Sequence, residues 1–153
     1  MRIWVDADSA PRDAKEIVYR TAKRLAIDAV FVANRRLALP QDNPRLSSVI
    51  VAGGPDVADR HIADNAEAGD VVVTHDIPLA AILVEKGVIA IDPRGEVFTK
   101  ENVGERLSVR DFLEAARAAG IETGGSLPYG PRDRHAFAAS LDRELTRRKG
   151  RGP

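Results

Sequence analysis

The segment IWVDADSAP, residues 3–11, decides how the rest of the chain is read. A short apolar run, Ile3–Val5, ends in two carboxylates, Asp6 and Asp8, just before a proline. In an extended strand residues two apart share a face, which sets Asp6 and Asp8 about 7 Å apart or less. Like charges that close repel unless a cation lies between them or one carboxyl takes up a proton. A divalent metal satisfies that requirement. The plainer alternative is that Asp8 or Ser9 caps the helix that Pro11 begins.

The pattern of apolar run followed by amphipathic stretch repeats downstream. Ala14, Ile17, Val18, Ala22 and Leu25 recur at helical spacing after Pro11. Ala29–Val32 and Leu46–Val51 read as the second and third strands, the latter ending at Gly53-Gly54-Pro55. Asp56–Glu67 reads as a helix, Val71–Thr74 as a strand, Ile77–Glu85 as a helix with Pro78 in its first turn, and Val88–Ile91 as a fifth strand. Short, fully apolar strands alternating with helices predict a parallel sheet covered on both faces. After Asp92 the character changes: a turn at Pro93-Arg94-Gly95, a short extra strand within Glu96–Thr99, and a helix over Val109–Ala119 capped by Ser108. The loop TGGSLPYGP leads to a last helix over about 132–148. The reading is one α/β domain over 1–146, with a helical part from about 108 and a disordered basic tail at 147–153.

Ligands of open α/β sheets bind beyond the carboxyl ends of the strands. The residues there are acidic: Asp6 and Asp8 after the first strand, Asp76 after the fourth, with Asn34, Ser9 and Thr74 among them. Asp59 lies about 60° or less from Ile62 and Ala66 on a helical wheel, bordering the buried stripe. An acid so placed is a candidate third ligand, whereas Asp56, in the first helical turn, reads as a cap. Asp76 alone could be only an N-cap, Thr74 only a strand-end residue, and Asp70 and Asp92 only turn residues. Four Asp with no His or Cys beside them suit a hard cation, Mg²⁺ or Mn²⁺, and not zinc. The three His form no ligand set with them: His61 sits on an outer helical position, His75 faces away from Thr74 and Asp76, and His135 is remote.

Bulk composition bounds the function. Lys+Arg and Asp+Glu both number 23, so any attraction to nucleic acid or anionic membrane must be local. The chain has no cysteine, hence no thiolate metal site and no cysteine nucleophile. With no signal-like start and no apolar run near the ~20 residues that span a bilayer, a cytoplasmic protein with no membrane partner is expected. The stretch 132–151 holds seven Arg/Lys against three Asp/Glu, and Arg12, Lys15, Arg35, Arg36 and Arg94 fall near the predicted mouth. Ser9, Arg12, Lys15, Asn34, Thr74, Arg94, Arg132 and Arg134 are therefore the expected substrate contacts. Aromatics at 5% argue against an extensive base-stacking platform.

These residues also carry a resemblance. VVVTHDIPLAAILVEKGVIAID resembles the fourth-strand segment of PIN domains, and with IWVDAD, DVADRHI, IDPRGEVFT and RDRHAFAASL the chain resembles the bacterial YaiI/YqxD family, grouped with the PIN-like nucleases. The resemblance implies a three-layer α/β/α sandwich on a parallel five-stranded sheet of order 3-2-1-4-5, in which the first and fourth strands are neighbours. It implies that Asp6, Asp8, Asp59 and Asp76 hold one or two Mg²⁺ or Mn²⁺ ions for phosphodiester hydrolysis, with RNA the expected partner and homodimers common. The chain departs from the family in reading DADSAP where relatives usually read DADACP, so Ala10 replaces a common cysteine, and in Gly124-Gly125-Ser126, where a proline usually follows the glycines. Two other readings stay open. In one the hhhhDxDx pattern is a haloacid-dehalogenase-type phosphatase signature, with Asp6 as nucleophile, Asp8 as acid/base and Thr74 as the second-motif hydroxyl. In the other the domain is a non-catalytic RNA-binding or adaptor protein.

Overall fold

A computed structural model describes residues 1–125 and 127–150. Its elements are β1 (Arg2–Asp6), α1 (Arg12–Leu25), β2 (Asp28–Ala33), β3 (Leu46–Ile50), α2 (Val57–Asn65), β4 (Val71–Val73), α3 (Ile77–Glu85), β5 (Ile89–Ile91), β6 (Val97–Phe98), α4 (Lys100–Ala118) and α5 (Pro131–Gly150). The strands form one sheet of order β3-β2-β1-β4-β5-β6. The first five are parallel, in the predicted order 3-2-1-4-5, and β6 adds a sixth, antiparallel strand at the β5 edge. The turn Pro93-Arg94-Gly95 is too short for a parallel crossover, so the chain can return only antiparallel.

Strand alternation divides the core. Ile3, Val5, Phe31, Val71, Val73 and Ile91 face α1 and α5, where Ile17, Val18, Phe137 and Leu141 meet them. Trp4, Val32, Val72 and Ala90 face the other way, onto Ile62 of α2 and Leu79 and Leu83 of α3. This is the three-layer sandwich. The even-numbered residues of β1 look toward α2 and α3, which puts Asp6, its last residue, on that side.

Three expectations change. Neither Asp8 nor Ser9 caps α1: Pro11 holds the N-cap position without a side-chain bond. The helix expected over Val109–Ala119 begins nine residues earlier, at Lys100. Its cap is Thr99, which with Asn102 forms a reciprocal capping box. Ser108 lies inside that helix, its Oγ donating to the Gly104 carbonyl at 3.2 Å. The helical C-terminal part thus starts at Lys100 and not near 108. Finally, α5 runs on to Gly150, taking up the first four residues of the expected 147–153 tail; residues 151–153 and Ser126 lie outside the described residues.

Two contacts fix the two ends of the sheet, one at the amino ends of the strands and one at the turn after β5. Asp70, read as a turn residue, is 4% exposed and accepts from the Arg2 N–H, the Trp4 Nε1–H and the Glu67 N–H, tying the start of β1 to β4. Gly95 has φ +101°, and a Cβ there would lie 2.7 Å from the Ala136 carbonyl carbon. Only glycine lets α5 approach the β5–β6 turn this closely. Its carbonyl accepts from Ser140 Oγ at 2.6 Å.

Candidate functional site

Parallel order brings the carboxyl ends of β1 and β4 side by side, and the N-termini of α2 and α3 arrive on the same side of the sheet. Asp6 is 8% exposed at the end of β1. Its Oδ2 accepts from Ser9 Oγ at 2.9 Å and Thr74 Oγ1 at 3.5 Å; Oδ1 has no partner among the described residues. Burial raises the Asp6 pKa, the Ser9 bond and the His75 charge work against that, and the Asp76 and Asp8 charges add to it.

Asp76 does two things. Its Oδ1 accepts the Leu79 N–H at 2.8 Å, capping α3, and its own N–H donates to Thr74 Oγ1 at 3.0 Å. Asp56, Asp59 and Asp76 each offer a carboxylate oxygen, all within 4.8 Å of one another. Burial, a hydrogen bond to Asp76 and the charges of Asp76, Asp6 and Asp56 raise the Asp59 pKa to about 7.

Asp56 was expected to cap α2, and it does not. It occupies the N-cap position with φ +62° and makes no side-chain cap bond. A non-glycine residue in the left-handed region is uncommon and costs on the order of 1 kcal/mol. That backbone turn sets its carboxylate with Asp59 and Asp76. Asp56 is the site residue that the sequence reading passed over, although its i, i+3 spacing from Asp59 placed both on one helix face.

Asp8 lies in the turn after β1 and belongs to the rim. Its Oδ2 accepts the Asn34 N–H at 2.7 Å, and its Oδ1 lies 3.6 Å from Arg35 Nε. Asp6, Asp8, Asn34, Asp56 and Asp59 line a cavity of 190 Å³. The donor set is all oxygen, with no His or Cys in it, which fits Mg²⁺ or Mn²⁺.

The expected substrate contacts divide. Ser9, Asn34 and Thr74 join the acids. Lys15 Nζ donates to the Ala7 carbonyl at 3.4 Å, and exposed Arg12 pairs with Glu16 at 3.5 Å. Arg94 is held by Asp133 at 2.9 Å and by the Leu127 carbonyl, with its guanidinium 5.7 Å from the centre of the Tyr129 ring. Arg132 is exposed without an ion pair among the described residues. Arg134 pairs with Asp13 at 3.4 Å and lines a separate cavity of 820 Å³ between α1, the segment at Pro40–Asn43 and α5.

The chain matches, over residues 4–147, the family described as "Uncharacterized BCR, YaiI/YqxD family". The chain belongs to the YaiI/YqxD family. Its relatives include a "UPF0178 protein" of Myxococcus xanthus, 56% identical over 147 residues and covering 96% of this chain and 95% of the relative. A "UPF0178 protein" of Syntrophobacter fumaroxidans is 51% identical over 97% of this chain and 96% of its own length. That of Halorhodospira halophila is 50% identical over 99% of this chain and 100% of its own. No helix among the described residues is long and apolar enough to cross a membrane.

Proposed function

We propose that this YaiI/YqxD-family protein is a Mg²⁺- or Mn²⁺-dependent nuclease that hydrolyses RNA phosphodiester bonds at the carboxyl edge of its sheet. One observation carries the reading: carboxylates from three separate chain segments, Asp56 and Asp59 of the α2 start, Asp76 of the α3 start and Asp6 of β1, crowd together against electrostatic cost. Acids that only cap helices have no reason to converge.

A divalent cation at such a site supplies positive charge for phosphoryl oxygens and a bound water that ionises near neutral pH. Asp56, Asp59 and Asp76 are the residues to hold it. Ser9 and Thr74 fix Asp6 Oδ2 and leave Oδ1 free to face the site. Asp59 holds a proton near neutrality, so cation binding is linked to release of that proton.

The charge distribution supports a polyanionic partner. Helices α1 and α5, packed together on one face, carry ten Arg/Lys against five Asp/Glu over residues 12–25 and 131–148. A phosphate backbone lying there gains affinity that falls as salt rises. The deciding experiment is calorimetric titration of Mn²⁺ into wild type, Asp6→Asn and Asp76→Asn, followed by RNA cleavage with the same proteins. Wild-type binding and cleavage, both lost in the variants, uphold the reading. RNA binding that survives in every variant, with no Mn²⁺ uptake and no cleavage, replaces it with a non-catalytic binding module.

A further inference from the structure

Strand β3 ends the sheet on one side, with β2 as its single neighbour. The two run in step from Leu46 to Ile50 without a bulge. Edge strands are ordinarily blunted by charge, proline, a bulge or shortness, because their open backbone invites another strand. The opposite edge obeys that rule, since β6 is two residues long. β3 does not. It has five residues, LSSVI, with no proline, and the chain carries no charge from Leu46 to Pro55. Ser47, Ser48 and Ile50 are exposed, Ile50 by 57%.

The ladder with β2 shows which backbone groups are open. The Arg45 carbonyl accepts the Ala29 N–H at 2.9 Å, and the Val51 N–H donates to the Ala33 carbonyl at 2.8 Å. Odd-numbered residues of this segment therefore turn their amide groups to β2, and Leu46, Ser48 and Ile50 turn theirs outward. The Leu46 N–H is taken by the Asn43 carbonyl at 3.3 Å. Among the described residues the Ser48 and Ile50 N–H groups have no acceptor. Side chains alternate in the same way: Leu46, Ser48 and Ile50 share the α1 face, where Leu46 packs on the core, and Val49 and Val51 share the α2 face.

We propose that β3 pairs antiparallel with β3 of a second copy about a two-fold axis at Ser48, making one continuous sheet of the two. The strand is complementary to itself in that register. Each Ser48 N–H donates to the Ser48 carbonyl of the other copy, and each Ile50 N–H to the Leu46 carbonyl opposite. Leu46 then lies across from Ile50 on one face, so the exposed isoleucine gains an apolar neighbour. An axis at Val49 sets Ser48 against Ile50 instead, and one at Ile50 sets Leu46 against Gly54. The Ser48 register also places Arg45 of the second copy across from Val51, on the α2 face. Val51, Ala52 and Gly54 wall the acidic cavity, so the second copy brings a cation to its edge. A single strand pair falls at the low end of specific interfaces, below about 1,200 Å², and the dimer is accordingly reversible. The pairing stands whether or not the acids bind a metal.

The test is light scattering of the full chain across about 10 to 500 µM, where wild type is expected to pass from one copy to two. Ser48→Pro removes an outward N–H and leaves the β2 ladder intact, as proline does on an open edge. Ile50→Lys puts a charge on the same edge without touching the backbone. Each is expected to raise the dimer Kd about tenfold or more, while Phe112→Asp, on the exposed side of α4, leaves it within about twofold. A second measurement reads the register. The chain has no cysteine, so Ser48→Cys introduces a single thiol on the axis. Hydrogen-bonded antiparallel partners have Cα atoms about 5.5 Å apart, within disulfide reach, and mild oxidation is expected to cross-link this variant. Ser47→Cys, displaced from the axis, sits about 7–8 Å from its own copy and is expected to stay uncross-linked. A wild type that stays monomeric throughout overturns the proposal. So does a dimer that survives both Ser48→Pro and Ile50→Lys, one that Phe112→Asp abolishes, or one that Ser48→Cys fails to cross-link.

Discussion

Thr74 Oγ1 lies 3.5 Å from Asp6 Oδ2, a hydrogen bond between residues 68 apart in sequence, made by a threonine that is 1% exposed. The same oxygen accepts the Asp76 N–H at 3.0 Å. One hydroxyl thereby links the acid that ends β1 to the acid that caps α3.

Thr74→Val keeps the shape and deletes both bonds. It leaves the Asp76 N–H without an acceptor and removes one of two donors to a buried carboxylate, which costs about 1–3 kcal/mol. Urea denaturation at pH 7 is expected to show that loss, and Thr74→Ser to recover most of it. A Thr74→Val protein as stable as wild type would mean that the bonds contribute nothing.

Asp59 predicts the pH dependence. Its folded pKa of about 7 lies above the unfolded value of about 3.9. The folded state therefore binds more protons between those values, and stability falls as pH rises from about 4 to about 7. Asp59→Asn removes the penalty: it should be near neutral at pH 4.5 and stabilising at pH 8. Asp59 is partly exposed, so solvent screening limits the gain to on the order of 1 kcal/mol. Thermal melts of both proteins at the two pH values measure it; an equal effect at both would refute the assignment.

Asp76 can be separated into its two roles. Asp76→Asn keeps a side-chain oxygen for the Leu79 N–H but removes the charge, whereas Asp76→Ala loses the cap as well. Alanine is expected to be about 1 kcal/mol less stable than asparagine. Both should lose Mn²⁺ binding. If asparagine binds Mn²⁺ like wild type, Asp76 serves as a cap and not as a ligand.

Asp56 sits in a left-handed conformation beside like charges. Asp56→Gly relieves both and is expected to raise stability by about 1 kcal/mol in metal-free buffer. The same change should weaken Mn²⁺ binding. Stability gained at the expense of the site would identify the strain as functional; a destabilised Asp56→Gly would overturn that account.

Gly95→Ala tests the packing of α5 on the β5–β6 turn. With φ +101° and a Cβ 2.7 Å from the Ala136 backbone, alanine must displace α5 from the β5–β6 turn. The expected loss is more than about 2 kcal/mol, read by denaturation. A near-neutral result would show that α5 can move aside.

The sequence by itself determined the α/β class, the order of the first five strands through the family resemblance, and the acids after β1 and β4. Apolar periodicity is local, so alternating strands and helices are visible in any short window. The N-terminus of α4 was also written there, in Thr99 and Asn102, but Gly104 interrupts the pattern and Ser108 offers a plausible false start. What only the tertiary structure decided was which acids meet. Asp56 looked like a cap, and a left-handed backbone turn carries it into the cluster; Asp8 looked like a strand-face ligand, and because β1 ends at Asp6 it sits in the following turn, bonded to Asn34 at the rim of the cavity it shares with Asp6, Asp56 and Asp59. The basic residues were equally ambiguous. Arg94 and Arg134 are close to the acids in any list of charges, yet ion pairs with Asp133 and Asp13 hold them to α5 and α1. Side-chain convergence depends on distances between segments far apart in the chain, and those distances exist only once the sheet has formed.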